Sequence, residues 1–283
     1  MTKQKFRVTP VIEISDISVQ FDGFKALSNV STSILPHSVH FFIGPNGAGK
    51  TTLLDIICGK THPSNGKILY HGGIDFGIRK SININLTKLS ESEIVEEGIG
   101  RKFQAPSVFT SLTVWENMEI SLKGSKNVLS SLFFKISKEQ KERIESILSF
   151  ISLSEKKDEK ASSLSHGQKQ WLKIGMLLVQ EPTVLLLDEP VAGMGKEETT
   201  KTGQLIRKIA EKYAVVVVEH DMEFVRAVAD RVTVMHEGKI LVEGSANEVL
   251  ADEKVRAVYL GRGKFHKSGQ KAESEISEER KNA

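Results

Sequence analysis

The sequence predicts an α/β fold: a mostly parallel sheet around a glycine-rich loop, with an N-terminal antiparallel β-layer and an inserted helical subdomain. Three observations carry this. Gly44-Pro45-Asn46-Gly47-Ala48-Gly49-Lys50-Thr51 lies between an apolar run, Val39–Ile43, and a helix-forming stretch that opens at Lys50. Two further near-continuous apolar runs, residues 184–187 and 215–218, each give way to a polar residue, the pattern of buried parallel strands whose C-terminal ends carry chemistry. Between the first run and the second lies a long stretch with helical punctuation.

Taken in order, residues 11–30 read as extended segments broken by polar turns such as Asp22-Gly23, which predicts the antiparallel layer. In the loop that follows, the glycine spacing lets successive backbone N–H groups turn inward around phosphate oxygens. Lys50 can reach the β/γ-phosphates, and the Thr51 hydroxyl can hold Mg²⁺. The pattern implies a bound nucleoside triphosphate. Ser90-Glu91-Ser92-Glu93 is a capping box ahead of a short helix that Gly98 can end. Ser137 with Gln140 starts a longer helix, on which Ile144, Ile147, Leu148 and Ile151 recur at helical spacing and define a buried face. Residues 105–180 therefore read as the helical insert. Residues 232–235 and 239–242 flank Glu237-Gly238 and predict a hairpin. Residues 264–283 mix Lys, Glu, Ser and Gln, which predicts a disordered tail after a domain spanning 1–263. No internal repeat suggests a second nucleotide module.

A chain of 283 residues, 39% of them apolar, suffices for one large α/β domain with a real core. No apolar run approaches the roughly twenty residues that span a bilayer, and the charged start lacks the apolar segment of a secretory signal. The expectation is a peripheral membrane role at most. A net charge of +3, spread along the chain, argues against nucleic acid as a partner. The one cysteine, Cys58, excludes an internal disulfide; on the apolar side of the helix after the loop, it reads as a buried, inert thiol in a reducing cytosol.

The strand run Leu185-Leu186-Leu187 ends on Asp188-Glu189, where a carboxylate is costly unless an ion or hydrogen bonds hold it. Asp188 can bind the Mg²⁺ shell, directly or through water, and Glu189 is placed to polarise an attacking water; alone, the pair would read equally as a solvated strand end. Gln104, after Gly100-Arg101-Lys102-Phe103, offers an uncharged amide that could sense both metal and water, although alone it would be a surface glutamine. His220 ends the strand after residues 215–218; a neutral imidazole there could bond the γ-phosphate and the water, while a lone histidine is more often a satisfied strand-end residue. Leu164-Ser165-His166-Gly167-Gln168 precedes an apolar helix containing Trp171, Leu172, Ile174 and Met176, and its serine and glycine make a second anion-seeking helix end. Two phosphate-seeking sites in one chain are explained if two copies meet head to tail.

In order and content these motifs resemble the ABC-type ATPases, a likeness that covers residues 11–261 through five ordered motifs. The resemblance implies ATP and Mg²⁺ as cofactors. Gly44, Pro45, Asn46, Gly47, Ala48, Gly49, Lys50, Thr51 and Thr52 would cradle the nucleotide, and Thr51, Gln104 and Asp188 would face the metal. Ser165, Gly167 and Gln168 would close on the triphosphate held by another copy, Glu189, His220 and Gln104 would serve hydrolysis, and Phe21 would stack on adenine unless it is a core residue. The implied partners are transmembrane permease subunits, a second ATPase subunit, identical or similar, and indirectly a solute-binding protein. The implied location is the cytoplasmic face of a prokaryotic inner membrane. A groove around Gln104, Pro106, Val108, Phe109 and Trp115 would receive the permease, the alternative being that these residues are the insert's own core.

Within the family, residues 98–106, 167–172, 190–194 and 219–225 are similar to the ATP-binding subunit of urea (short-chain amide) importers, with the branched-chain amino acid importers as the second choice. A soluble ABC protein of DNA repair or translation would carry paired cassettes, a long coiled coil or a zinc hook, and a binding-only module would lack the hydrolytic residues present here. The chain departs from the family pattern at three places. His166 replaces the usual first glycine of its loop, adding a titratable group near a partner's phosphate. Gly195 and Lys196 stand where many relatives have an aspartate, and residues 73–85 read as an elaborated surface loop.

Overall fold

The computed structural model describes residues 9–21, 23–72, 83–101, 108–122 and 136–260. The chain begins with β1 (Ile12–Phe21) and β2 (Phe24–Ile34), which pair antiparallel as expected. They continue into β4 (Asn65–Tyr70) and β5 (Ile84–Asn85), giving a four-stranded sheet in the order β2-β1-β4-β5. These last two strands escape a reading by periodicity. β4 begins with three exposed residues, Asn65, Gly66 and Lys67, none of them typical of a strand, and β5 is two residues long at the end of the stretch expected to be a loop; residues 73–82 lie outside the described residues.

The second sheet contains β3 (Val39–Ile43), β6 (Ile99–Arg101), β7 (Val184–Asp188), β8 (Ala214–Val218), β9 (Arg231–His236) and β10 (Lys239–Gly244), in the order β10-β9-β3-β8-β7-β6. All neighbours are parallel except the β9/β10 hairpin. Its turn is Glu237-Gly238 with φ of 48° and 72°, the paired left-handed conformation that matches strand twist. The near-continuous apolar runs are explained by burial on both faces. Phe41, Leu185, Leu187, Val215 and Val217 face one core, while Phe42, Leu186, Val216 and Val218 face the other, against α1 (Lys50–Ile57) and the antiparallel sheet. Cys58 is buried in the second core, with its thiol donating to the Leu54 carbonyl at 2.8 Å.

α2 (Glu91–Glu96) starts with the expected capping box at Ser90 and ends before Gly98, whose φ of 96° stops it. Between β6 and β7 lie α3 (Val114–Glu119), α4 (Lys138–Phe150) and α5 (His166–Leu178). Ser137 and Gln140 form the second expected box, and Ile144, Leu148 and Ile151 are buried. The first core extends through these helices and through α6 (Lys196–Ala210), α7 (Met222–Val228), α8 (Ala246–Ala251) and α9 (Glu253–Leu260). Residues 264–283, read as a disordered tail, lie outside the described residues.

Candidate active site

Strand order creates the site. β8 lies between β3 and β7, so the loop after β3, the carboxylates ending β7 and the Glu219-His220 pair after β8 emerge side by side at one sheet edge. The loop turns back at once into α1, with Gly49 as its left-handed N-cap at φ 98°. Gly44 is pressed against β9, since a Cβ on it would stand 2.1 Å from the Met235 carbonyl oxygen. Pro45, Asn46 and Gly47 lie on the accessible side, Ala48 is buried, and Thr51 is exposed with Thr52 half-buried behind it. Lys50 folds back along the loop, its ammonium donating to the carbonyls of Gly44 at 2.8 Å and Pro45 at 3.1 Å. Burial pushes its pKa below the usual lysine value, opposed by attraction to Glu189 and Asp188, so the cation lies within electrostatic reach of both carboxylates.

Glu189 is half-exposed and adopts φ 45°, a strained left-handed backbone for a non-glycine residue. Its N–H is anchored on the Val218 carbonyl at 2.9 Å, which locks the end of β7 to β8. The His220 ring is also exposed, its Nδ1 3.7 Å from Glu189 Oε1 and 3.7 Å from Glu219 Oε2. Glu219 was not singled out by sequence, because a glutamate after an apolar strand looks like its solvated end. It is 1% exposed, and its carboxylate accepts from the N–H groups of Val191 at 3.2 Å and His220 at 3.0 Å.

Ser165 is the N-cap of α5, closing a capping box with Gln168: its hydroxyl accepts from the Gln168 N–H at 3.2 Å, and Gln168 Oε1 accepts from the Ser165 N–H at 3.0 Å. The same hydroxyl donates to Glu198 Oε1 at 3.0 Å. A Cβ on Gly167 would come within 2.5 Å of that carboxylate, so a side chain of the same molecule rests on this helix end. His166 faces its own chain, with Nε2 3.0 Å from the Ala192 carbonyl. Gly195 is the N-cap of α6 and supplies no side-chain bond to it.

Phe21 is 48% exposed at the tip of the β1/β2 hairpin, opposite Phe24 at 67%, a second exposed aromatic that periodicity does not distinguish. The hairpin lies against the loop, because the Ala26 carbonyl is 2.8 Å from where a Gly49 Cβ would be. The expected permease groove divides. Val108 is buried in the insert's core, and Trp115 is half-buried with its indole N–H on Glu119 and the Lys157 ammonium 5.9 Å from its ring. Phe109 is 51% exposed and held by Asn117, a fully buried residue that sequence reasoning missed, which bonds the Phe109 N–H at 2.8 Å and carbonyl at 3.0 Å. Gln104 and Pro106 lie outside the described residues.

A phosphate loop between a buried parallel strand and a helix, with carboxylates ending a nearby strand, defines a nucleotide-hydrolysing α/β cassette. The ABC transporter family model matches residues 27–192, and the chain belongs to that family. It is an ATPase whose hydrolysis is coupled to transport. The high-affinity branched-chain amino acid transport ATP-binding protein LivG of Escherichia coli K12 is 30% identical over 261 residues, covering 89% of this chain and 98% of the relative. The probable LivG of Methanocaldococcus jannaschii is 33% identical, with 89% and 97% covered. The ADP conformation of MJ1267, an ATP-binding cassette of an ABC transporter, superposes with a TM-score of 0.76 at 31% identity, covering 89% of this chain and 99% of that one. Among the described residues, no helix is long and apolar enough to cross a membrane.

Proposed function

We propose that this chain is the ATP-hydrolysing subunit of an importer, working as a head-to-tail dimer beneath two permease subunits. The observation that carries the reading is the meeting of Lys50, Asp188, Glu189 and His220 at one sheet edge. ATP lies along residues 44–52, its triphosphate bound by loop N–H groups and Lys50, with Phe21 or its neighbour Phe24 offering a face to the base. The Ser165 end of α5 in a second copy completes the site. Glu189 orients the attacking water and accepts its proton, and His220 holds water and γ-phosphate in line; Gln104 is assigned to link this centre to the permease.

Mg²⁺ fits the donor set. The Thr51 hydroxyl and the Asp188 carboxylate are hard oxygen donors at the loop, and no group of three or more His, Cys, Asp or Glu among the described residues forms a dedicated cage. Bound there, Mg²⁺ would neutralise charge developing on the phosphate oxygens. On solute, the relatives named above favour branched-chain amino acids over urea or short-chain amides. A cytoplasmic-face location and a separate solute-binding protein complete the proposal.

The test is Glu189→Gln. ATP affinity should persist within a few-fold, while phosphate release falls by a factor of about 10² or more and an ATP-dependent dimer accumulates on size exclusion. Wild-type turnover in this variant would remove Glu189 from the chemistry.

A further inference from the structure

We propose that Glu219 is a positioning residue for hydrolysis, a buried carboxylate that sets the spacing between Glu189 and His220. The inference rests on the reading of those two residues given above. A carboxylate at 1% exposure is costly, and burial pushes its pKa above the usual glutamate range. Its place is nevertheless well defined. One oxygen holds the N–H of Val191, two residues beyond Glu189, and the other holds the N–H of His220. The Glu219 N–H points to the Phe42 carbonyl near the end of β3, 3.4 Å away. One side chain thus ties the segment leaving β7 to the residue leaving β8, across the gap where Glu189 and His220 stand 3.7 Å apart.

Strand geometry alone does not require this group, because β7 and β8 are already paired through Asp188 and Val218. The carboxylate adds two things: it fixes both outgoing backbones beyond the last strand pair, and it places an anion 3.7 Å from the His220 ring. The charged groups facing that ring are therefore Glu189, just past the end of β7, and Glu219, its own neighbour in sequence, while Lys50 lies within electrostatic reach of Glu189 and Asp188.

Glu219→Gln keeps the volume but cannot accept from both N–H groups while neutral amide hydrogens face one of them, and Glu219→Asp keeps the charge but falls short of Val191. Both are measured as the full chain with Mg-ATP, alongside Glu189→Gln and a thermal melt that confirms folding at the assay temperature. The expected result for Glu219→Gln is a kcat about tenfold lower or less, KM for ATP within twofold, and an acid limb of the kcat profile displaced by about half to one pH unit toward acid. Glu219→Asp should recover the pH profile but not the full kcat. Wild-type kcat and profile in Glu219→Gln, with Glu189→Gln inactive, would overturn this role and leave the assigned chemistry standing. Loss of activity that follows loss of folded protein, with an unmoved profile, would also overturn it. Turnover surviving in Glu189→Gln would instead sink the underlying reading.

Discussion

Gly44 lies where the phosphate loop leaves the sheet, at φ 148° with the Met235 carbonyl in the space a side chain would need. No rotamer relieves that contact, because the obstacle is backbone. Gly44→Ala must therefore move the loop off β9, and the expected outcome is a loss of about 1–3 kcal/mol of stability with at least a tenfold weaker ATP affinity. A denaturation midpoint and a fluorescent-nucleotide titration measure the two effects, and unchanged affinity would show that the loop tolerates displacement. At this scale the sequence is most readable where chemistry is local. The glycine spacing, Lys50 and the Asp188-Glu189 pair stand out because residue type and neighbours suffice. Glu219 and Asn117 do not, since a buried carboxylate and a buried amide are distinguished from surface ones only by the segments that fold over them.

The helix ends carry the next argument. Capping boxes open five of the described helices, and the ones at Ser90, Ser137 and Ser165 share the rule of a serine followed three residues later by Glu or Gln; the first two of these are legible for that reason. The partner of the third was hidden, because Glu198 reaches Ser165 from α6, across 33 positions of sequence. An anion at a helix N-terminus stabilises the dipole by about 0.3–1 kcal/mol, so Glu198 supports the free subunit while holding the place proposed for a partner's triphosphate. Glu198→Ala is expected to lower unfolding free energy by about that amount. In the Glu189→Gln background it should also let the ATP-bound dimer form at roughly two- to fivefold lower ATP, read by size exclusion across a nucleotide titration. Dimerisation at the same or higher ATP would mean that the carboxylate does not compete. α5 is otherwise fixed from below, by the Trp171 indole N–H donating to the buried Thr202 hydroxyl of α6 at 2.8 Å, so the helix end can lose Glu198 without losing its seat.

At the scale of the molecule, local pattern shows that buried parallel strands exist but cannot order them, since β3, β7 and β8 have nearly interchangeable apolar sequences. It also cannot reveal what joins the two sheets. Beside their shared apolar core the junction has a polar side: Glu243 on β10 accepts from Thr32 on β2 and from Thr233 and Arg231 on β9, and the His40 ring of β3 stands 2.8 Å from the Thr233 hydroxyl. Because the Thr233 proton goes to Glu243, the His40 nitrogen must donate, which a neutral ring does. His40 is 1% exposed and stacked on Phe42, and burial lowers its pKa to about 4, with Arg231 lowering it further and Glu243 opposing. The unfolded chain takes up a proton near pH 6.5 that the folded chain refuses until about pH 4, so this residue withdraws stability as pH falls through that window. The difference corresponds to roughly 3 kcal/mol. His40→Gln, which keeps a donor for Thr233 but cannot titrate, should be less stable than wild type at pH 7 through lost stacking, yet lose markedly less stability between pH 7 and pH 4. Urea unfolding of both proteins at several pH values gives the comparison, and parallel curves would show that His40 does not set the acid limit of the joined sheets.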